Sequence, residues 1–523
     1  PFQADPLARL DLNQINLQNN KWGSNLQLKY HLSNGLSWHS LVSFDRFETI
    51  RQIAPTNGGD GINDQTVLSD LFQHHKLSFA RYLPNGNNFE SKLGVQHHLQ
   101  DWRIDATQFQ AGTDWQNLQA YVNAKFVFNS TLYLMTTQNM VQSGRLPASG
   151  WRWLPSVIAE VEMSRFRFLS SANWLNRLRL SASWSRTAND RILPDLGNQV
   201  ISGNRSFPIF IPQLDLSGAD WEITDQSNLG MDLSVLDNRL GLNVNLYDRR
   251  TQNALVPLPG ENRLANLANI QNQGLELGLY TTPVNGTFRL NFSANVSFLK
   301  NRLLDLGGLD GLNNSFFDPI TGNWQEVSRL ETGLPINNFF GYQTDGVYEL
   351  GDDRSLEPEK PVGAIRFVDV NGDGQITPDD RTIIGNALPT RLLDVSLTIN
   401  WKEWELTNSW QAVGGAQSLN FFANPLQQAY APEDRIHDGM VQSGDYIRLA
   451  NLQLSWRPRL TIRKQHKPIT LYARGENLLI LTRYKGFDPS LNTIGQSFSL
   501  WQGFDWGAAP RMRSFAAGVV LNL

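Results

Sequence analysis

Hydrophobic and polar residues alternate along this chain in short stretches broken by turn residues. The clearest stretch is Leu393 to Ala412. Leu393, Val395, Leu397, Ile399 and Trp401 take every second position, with Asp394, Ser396, Thr398 and Asn400 between them. After Lys402-Glu403 the alternation resumes as Trp404, Leu406, Asn408, Trp410 and Ala412 against Glu405, Thr407, Ser409 and Gln411. Strand side chains point to opposite faces with period two, so the pattern predicts a hairpin with one apolar and one polar face. Trp401 and Trp404 bracket the turn on the apolar side.

The same unit recurs. Leu26, Leu28, Tyr30 and Leu32 alternate up to Asn34-Gly35, a pair able to take positive φ, and residues 36–44 return. Residues 76–83 and 89–98 flank the turn at 84–87, and 118–128 and 131–138 flank Asn129-Ser130. Further pairs are 155–163 with 177–185, 229–235 with 240–246, 275–279 with 288–298, and 447–456 with 470–478. Phe515, Ala517, Val519, Leu521 and Leu523 make a last strand. Nearly every second connection is short. Those between, such as 45–75, 99–117 and above all 301–390, read as long polar loops. Outer-membrane barrels alternate in this way, with tight periplasmic turns and long extracellular loops. The alternative is a soluble all-β protein whose apolar faces are core. Roughly seventeen strands are counted, whereas bacterial barrels are closed and even-numbered. Traced back from the last strand, the chain is expected to begin in an extracellular loop, with an odd number of strands before it. Arg177, Arg179, Asp232, Glu276, Glu405 and Arg474 recur on the polar face and suit a wet lumen better than a packed interior.

The chain has 523 residues but no run of about 18 apolar ones, which excludes a spanning helix and leaves spanning strands open. A net charge of -4 gives no pointer to nucleic acid. The absence of cysteine rules out disulfides and thiolate-held zinc. Sixteen tryptophans fit interfacial belts, though large soluble β cores also use them. The start, Pro1-Phe2-Gln3, has neither a signal peptide nor an initiator Met, so the chain reads as processed or as part of a longer one.

One stretch carries candidate chemistry. Residues 369–380, DVNGDGQITPDD, place Asp369, Asn371 and Asp373 at positions 1, 3 and 5 of a calcium-type loop. Gly374 takes the sharp-turn position. Gln375 offers its backbone carbonyl, Thr377 stands at position 9, and Asp380 replaces the usual Glu at position 12. Such spacing gathers the oxygens that Ca²⁺ requires; the plainer reading is a solvated Asn/Asp/Gly turn. No catalytic constellation stands out, so an enzyme is not expected. His74-His75 and His97-His98 are strand neighbours pointing to opposite faces, expected on solvated surface. The long loops hold many aromatics, among them Phe339, Phe340, Tyr342, Tyr348, Phe421, Tyr484, Phe487, Phe504 and Trp506. Most are expected to pack the loops against one another, with a ligand or partner platform as the alternative.

Several stretches together resemble the SusC/RagA family of TonB-dependent outer-membrane transporters of Bacteroidetes. They are Leu154-Pro155-Ser156-Val157 with the following 174–184, Asn272-Gln273-Gly274-Leu275-Glu276, the block 341–348, the block 363–373 with 381–386, Asp445–Leu449, and 476–478 with 484–489. The likeness runs from Asp5-Pro6 onward. The resemblance implies a plugged barrel of about 22 strands, of which residues 1–523 are the C-terminal part and 301–390 a long extracellular loop. It implies import of oligosaccharides or peptides, a SusD-like lipoprotein over the loops, and energy from TonB. Plug, TonB box and first strands are absent from this sequence. The TonB contact is therefore expected through a missing segment that is a separate chain, a cleaved piece or an unresolved region. A structural or secretion role without a plug, and a soluble calcium-binding β protein, are the alternatives.

Overall fold

The computed structural model describes residues 13–55, 62–106, 109–146, 150–190, 200–201, 209–210, 218–258, 263–318, 323–421, 435–462, 465–490, 492, 502–507 and 511–521. The fold is all-β; the one α-helix among these residues is the four-residue turn Arg167–Ser170. The chain divides into two compact units. The first holds 1–161, 183–225 and 253–266, and the second holds 162–182, 226–252 and 267–523.

In the first unit, strands Asn13–Ser33, Leu36–Pro55, Ile62–Tyr82, Asn88–Ala106, Phe109–Phe128, Leu132–Ser143 and Arg152–Glu162 each pair antiparallel with the next. These strands are longer than the alternation predicts. The described parts of the expected loops 45–75 and 99–117, residues 45–55, 62–75, 99–106 and 109–117, are strand; 56–61 and 107–108 lie outside the described residues. The physical reason lies in the register. Asp45, Glu48 and Arg51 stand opposite Asp70, Val67 and Asp64, with Arg51 and Asp64 paired. Here the strands carry polar residues on both faces, so the ladder continues while the alternation that marks a half-buried strand disappears.

In the second unit, strand Phe288–Leu306 pairs with Arg391–Trp401, which pairs with Trp404–Gly414, then Tyr446–Trp456, Gln465–Thr482 and Ser514–Leu521 in turn, all antiparallel. The opening hairpin forms as the sequence predicts: Trp401 faces Trp404 across Lys402-Glu403, and Lys402 takes φ 54°. Its apolar face continues sideways, with Phe288, Leu290, Phe292, Ala294 and Val296 opposite Trp401, Ile399, Leu397, Val395 and Leu393. The one polar member of that face in the hairpin, Asn408, accepts a hydrogen bond from Trp410 Nε1 at 3.2 Å. Trp404 stacks on Trp456 with ring centroids 5.8 Å apart, so the band ends in tryptophans at the short-turn edge. From Trp401 to Leu393 the band rises about 27 Å along the strand, or about 21 Å across a membrane at the tilt of barrel strands, near the height of a lipid-facing band.

The connection predicted as 301–390 starts later, after Leu306, and has structure of its own. Strands Gly311–Asp318, Asn323–Glu331, Asn338–Gly341 and Thr382–Asn386 form a small antiparallel sheet. Thr344–Val347 and Ile365–Phe367 form a ribbon.

Candidate functional site

Three long connections of the second unit, 307–390, 415–445 and 483–513, pack on one another and form the candidate site. Each enters with a stretch of backbone that finds partners on another. Leu419 N donates to Gly503 O at 2.8 Å, Tyr342 N to Ile436 O at 2.9 Å, and Phe421 N to Asp505 O at 3.1 Å. Val327, Phe339, Ala387, Leu419, Phe421, Ile436, Met440 and Phe504 bury a shared core, to which each connection contributes. Phe339 and Phe504 meet edge to face, centroids 5.3 Å apart. A second cluster joins Tyr342, Ile365 and Phe367.

Charged groups hold this core from outside. Arg329 and Arg381 lie over the Phe340 ring at 5.4 and 5.2 Å, and Arg381 also pairs with Glu326 at 2.7 Å. Arg435 lies 3.9 Å over Phe367 and pairs with Glu357 at 2.7 Å. Arg448 and Asp488 are both buried, with Arg448 Nη2 donating to the carboxylate oxygens at 2.7 and 2.9 Å. Tyr484 donates to Asp505; burial first, and that carboxylate second, push its phenol far above the usual range. Asn386 is a node: its side chain donates to Ile336 O and Asn338 Oδ1, both at 2.7 Å, and accepts from Leu388 N at 2.8 Å.

The expected role of the loop aromatics as packing holds for Phe339, Phe340, Tyr342, Tyr348, Phe421, Tyr484 and Phe504, all buried. Phe487 is exposed. Leu309 and Met512 are exposed as well, and the 344–370 segment gathers Val347, Leu350, Leu356, Val362 and Val370, all exposed.

Asp369, Asn371, Asp373 and Asp380 are brought together, though largely to hold their own backbone. Asp369 accepts from Gly372 N at 2.7 Å and Gly374 N at 2.8 Å, and Asn371 Oδ1 from Asp373 N at 2.9 Å. Asp373 accepts from Gln375 N at 2.9 Å. Asp380 is wholly buried and accepts from Val370 N, Asn371 N and Thr377 N at 2.8, 3.3 and 2.7 Å. Burial raises its carboxyl pKa; those three backbone donors outweigh this and hold it below the ordinary value. Among the described residues, no group of three or more His, Cys, Asp or Glu side chains is gathered tightly enough to hold a metal.

The adjacent histidines do split across faces, and each ring has a partner rather than only solvent. His74 meets Tyr121 Oη at 2.8 Å and His98 meets Asp70 at 2.7 Å on one face. On the other, His75 bonds Ser40 at 2.9 Å and His97 meets Gln116 at 3.4 Å. The charged residues of the polar face are likewise paired: Arg177 and Arg179 with Glu162 at 3.5 and 3.1 Å, Asp232 with Asn243, Glu276 with Asn245 at 3.1 Å, Glu405 with Arg457 at 3.0 Å. Sequence reasoning missed the tyrosines laid over glycines of neighbouring strands. Any Cβ at Gly94, Gly241, Gly274 or Gly518 would strike the ring of Tyr121, Tyr280, Tyr247 or Tyr472. An isolated glycine inside a strand pattern is the signal that could have found them.

A family model described as TonB dependent receptor-like, beta-barrel matches residues 2–478. TonB-dependent receptor P3 of Formosa agariphila is 26% identical over 76% of this chain and 44% of its own length. TonB-dependent receptor SusC of Bacteroides thetaiotaomicron is 22% identical over 99% of this chain and 57% of its own. The chain thus spans about half the length of these curated relatives. Among solved structures, the RagAB peptide transporter superposes with a TM-score of 0.78 at 18% identity, covering 98% of this chain and 63% of that one. The outer-membrane transporter YddB of Escherichia coli follows the same fold with a TM-score of 0.51 at 12% identity, over 89% of this chain and 59% of that one.

Proposed function

Because the chain belongs to the TonB dependent receptor-like β-barrel family, we propose that it forms wall and surface loops of a SusC-like importer of oligosaccharides or peptides. It is an outer-membrane barrel protein, and its relatives are receptors and transporters rather than enzymes. One observation supports the importer reading above others. One face of the strands is an apolar band edged by tryptophan, while the opposite face carries charges paired with one another, as a water-filled passage requires. In this reading solute crosses along the polar face. A SusD-like lipoprotein sits over the packed loops, and the exposed apolar residues of 344–370 supply a contact for it. Coupling to TonB runs through the part of the relatives' length that this chain does not span.

The test is deletion of the gene followed by growth on defined oligosaccharide and peptide pools, with purification of the tagged protein from the outer membrane. The expected result is lost growth on one pool and co-purification of a surface lipoprotein. Unchanged growth on every pool, with altered display of surface or secreted proteins, would replace import with a structural or secretion role.

A further inference from the structure

The strand register of the first unit lines up three rows of side chains on the polar face. One row runs His31, Ser37, Ser78, Lys92, Asn123 and Thr137. The next runs Lys29, His39, Lys76, Gly94, Tyr121 and Asn139. The third runs Gln27, Leu41, His74, Gln96, Gln119 and Val141. Lys29, His31, His39, His74, Lys76 and Lys92 therefore share one patch, and no Asp or Glu stands in any of the three rows. His39 lies directly between Lys29 and Lys76. The nearest carboxylates on that face stand outside the three rows and have partners of their own: Asp45 accepts from Ser43 at 3.3 Å, Asp70 meets His98 at 2.7 Å, and Glu90 holds Lys125 at 3.4 Å.

This arrangement differs from the charge-paired part of the second unit's polar face. On the second unit's polar face Arg177, Arg179 and Glu405 each have an opposite charge within hydrogen-bonding reach or close to it. Like charges placed directly across a strand pair are destabilising, and the chain as a whole is acidic, at -4. Among the described residues Lys29, Lys76 and Lys92 have no carboxylate partner, and a surface of this kind suits an anion. The groups between and beside the cations choose the kind of anion. Ser37, Ser78, Asn123, Thr137, Gln96 and Asn139 offer hydroxyls and amides, which suit the hydroxyls of a sugar between its charged groups.

We propose that this patch is a subsite for an anionic oligosaccharide, one carrying carboxylate or sulfate groups along its chain. The inference rests on the importer reading and narrows its substrate class. The lysines attract the charged groups, and the serine, threonine and amide side chains take the hydroxyls. No covalent step is involved.

The experiment uses the protein purified in detergent in the form it has in the outer membrane. Calorimetry compares two probes of equal length, a uronic acid tetramer and its neutral hexose counterpart. The wild type should bind the uronate at least about tenfold tighter, with the difference shrinking as salt rises toward 0.5 M. The triple variant Lys29→Gln, Lys76→Gln, Lys92→Gln should bind both probes alike. Lys76→Arg, which keeps the charge, should retain the preference and shows that substitution at this position leaves the fold intact. Equal affinity for both probes in the wild type overturns the subsite while leaving import intact if growth still depends on the gene. Preference for an oligoglutamate over the uronate overturns the sugar assignment. Uronate preference that survives the triple variant places the anion site elsewhere and also overturns it. Loss of the importer reading shows separately, as growth that never depends on the gene.

Discussion

Replacing Asp380 by Asn tests how the 369–380 loop is held. The wild-type carboxylate is buried and accepts three backbone N–H bonds, from Val370, Asn371 and Thr377. Hydrogen bonds to a charged group contribute about 1.5–3 kcal/mol each, and a buried donor left facing another donor costs about 1–3 kcal/mol. Asn keeps one oxygen, and so one side of this arrangement, while turning an NH2 toward the donors on the other. The expected loss is about 2–4 kcal/mol of local stability, which is about a 30-fold to several-hundred-fold increase in opening. Hydrogen exchange at the Val370, Asn371 and Thr377 amides reads it directly. The pH dependence supplies a second signature. The folded carboxyl lies below the ordinary value of about 4, so its contribution is fully present above that value and is lost as pH falls through the lowered one. Wild-type protection should thus hold from pH 7 to 5 and fall below about 4, whereas Asp380→Asn should be weak throughout and lack that step. Equal protection in the two proteins, with the same acid profile, would refute the account.

Other outcomes follow from particular contacts. We propose that the loop binds Ca²⁺ weakly through Asp369, Asn371, Asp373, the Gln375 carbonyl and Asp380; Asp373→Ala should then abolish a calorimetric calcium signal, and a wild type that gives no signal at 10 mM would end the proposal. Phe339→Ala should cost about 3–5 kcal/mol and expose all three loops to protease together, whereas cleavage confined to one loop would contradict a shared core. Gly241→Ala drives a methyl into the Tyr280 ring and should lower the midpoint of heat-induced barrel unfolding, with Tyr280→Ala in the same chain partly restoring it. Trp404→Ala removes the partner of Trp456 at the band's edge and should shift tryptophan emission and quenching by shallow lipid probes, not the loop protection pattern.

The hairpin at 393–412 was legible to the residue, because one face meets apolar surroundings and the other does not. The same rule hid the strand residues 45–55. There polar residues stand on both faces, and the pairing of Arg51 with Asp64 leaves no period in the sequence, whereas 101–106 does alternate, with Trp102, Ile104 and Ala106 against Asp101, Arg103 and Asp105. The roughly seventeen strands counted compare with eighteen in the main sheet among the described residues, the short Arg459–Ile462 being the addition; the tight turns at Asn34-Gly35, Asn129-Ser130 and Lys402-Glu403 carry positive-φ signals of their own. In the candidate site, the aromatics could be seen as packing, but not which would meet. Phe339 and Phe504 lie far apart in the chain, and only backbone pairing such as Leu419 N with Gly503 O decides their contact. The row of lysines on the first unit was beyond reading for a similar reason: Lys29, Lys76 and Lys92 come from three strands, and register rather than spacing aligns them.

The shared loop core also orders events in time. Its members come from connections that leave the Phe288–Leu306, Trp404–Gly414 and Gln465–Thr482 strands, and Phe504 is its most C-terminal member. Contacts so distant in sequence cannot form until the intervening chain is threaded and paired, and loop closure over such spans is slow. The Asn323–Glu331 strand therefore waits, with Val327 uncovered, until the strand before Ser514–Leu521 is in place. Completion of this cap is a late checkpoint of assembly. A barrel stalled one strand short would leave greasy, protease-sensitive loops uncovered, a mark by which unfinished copies could be told from finished ones.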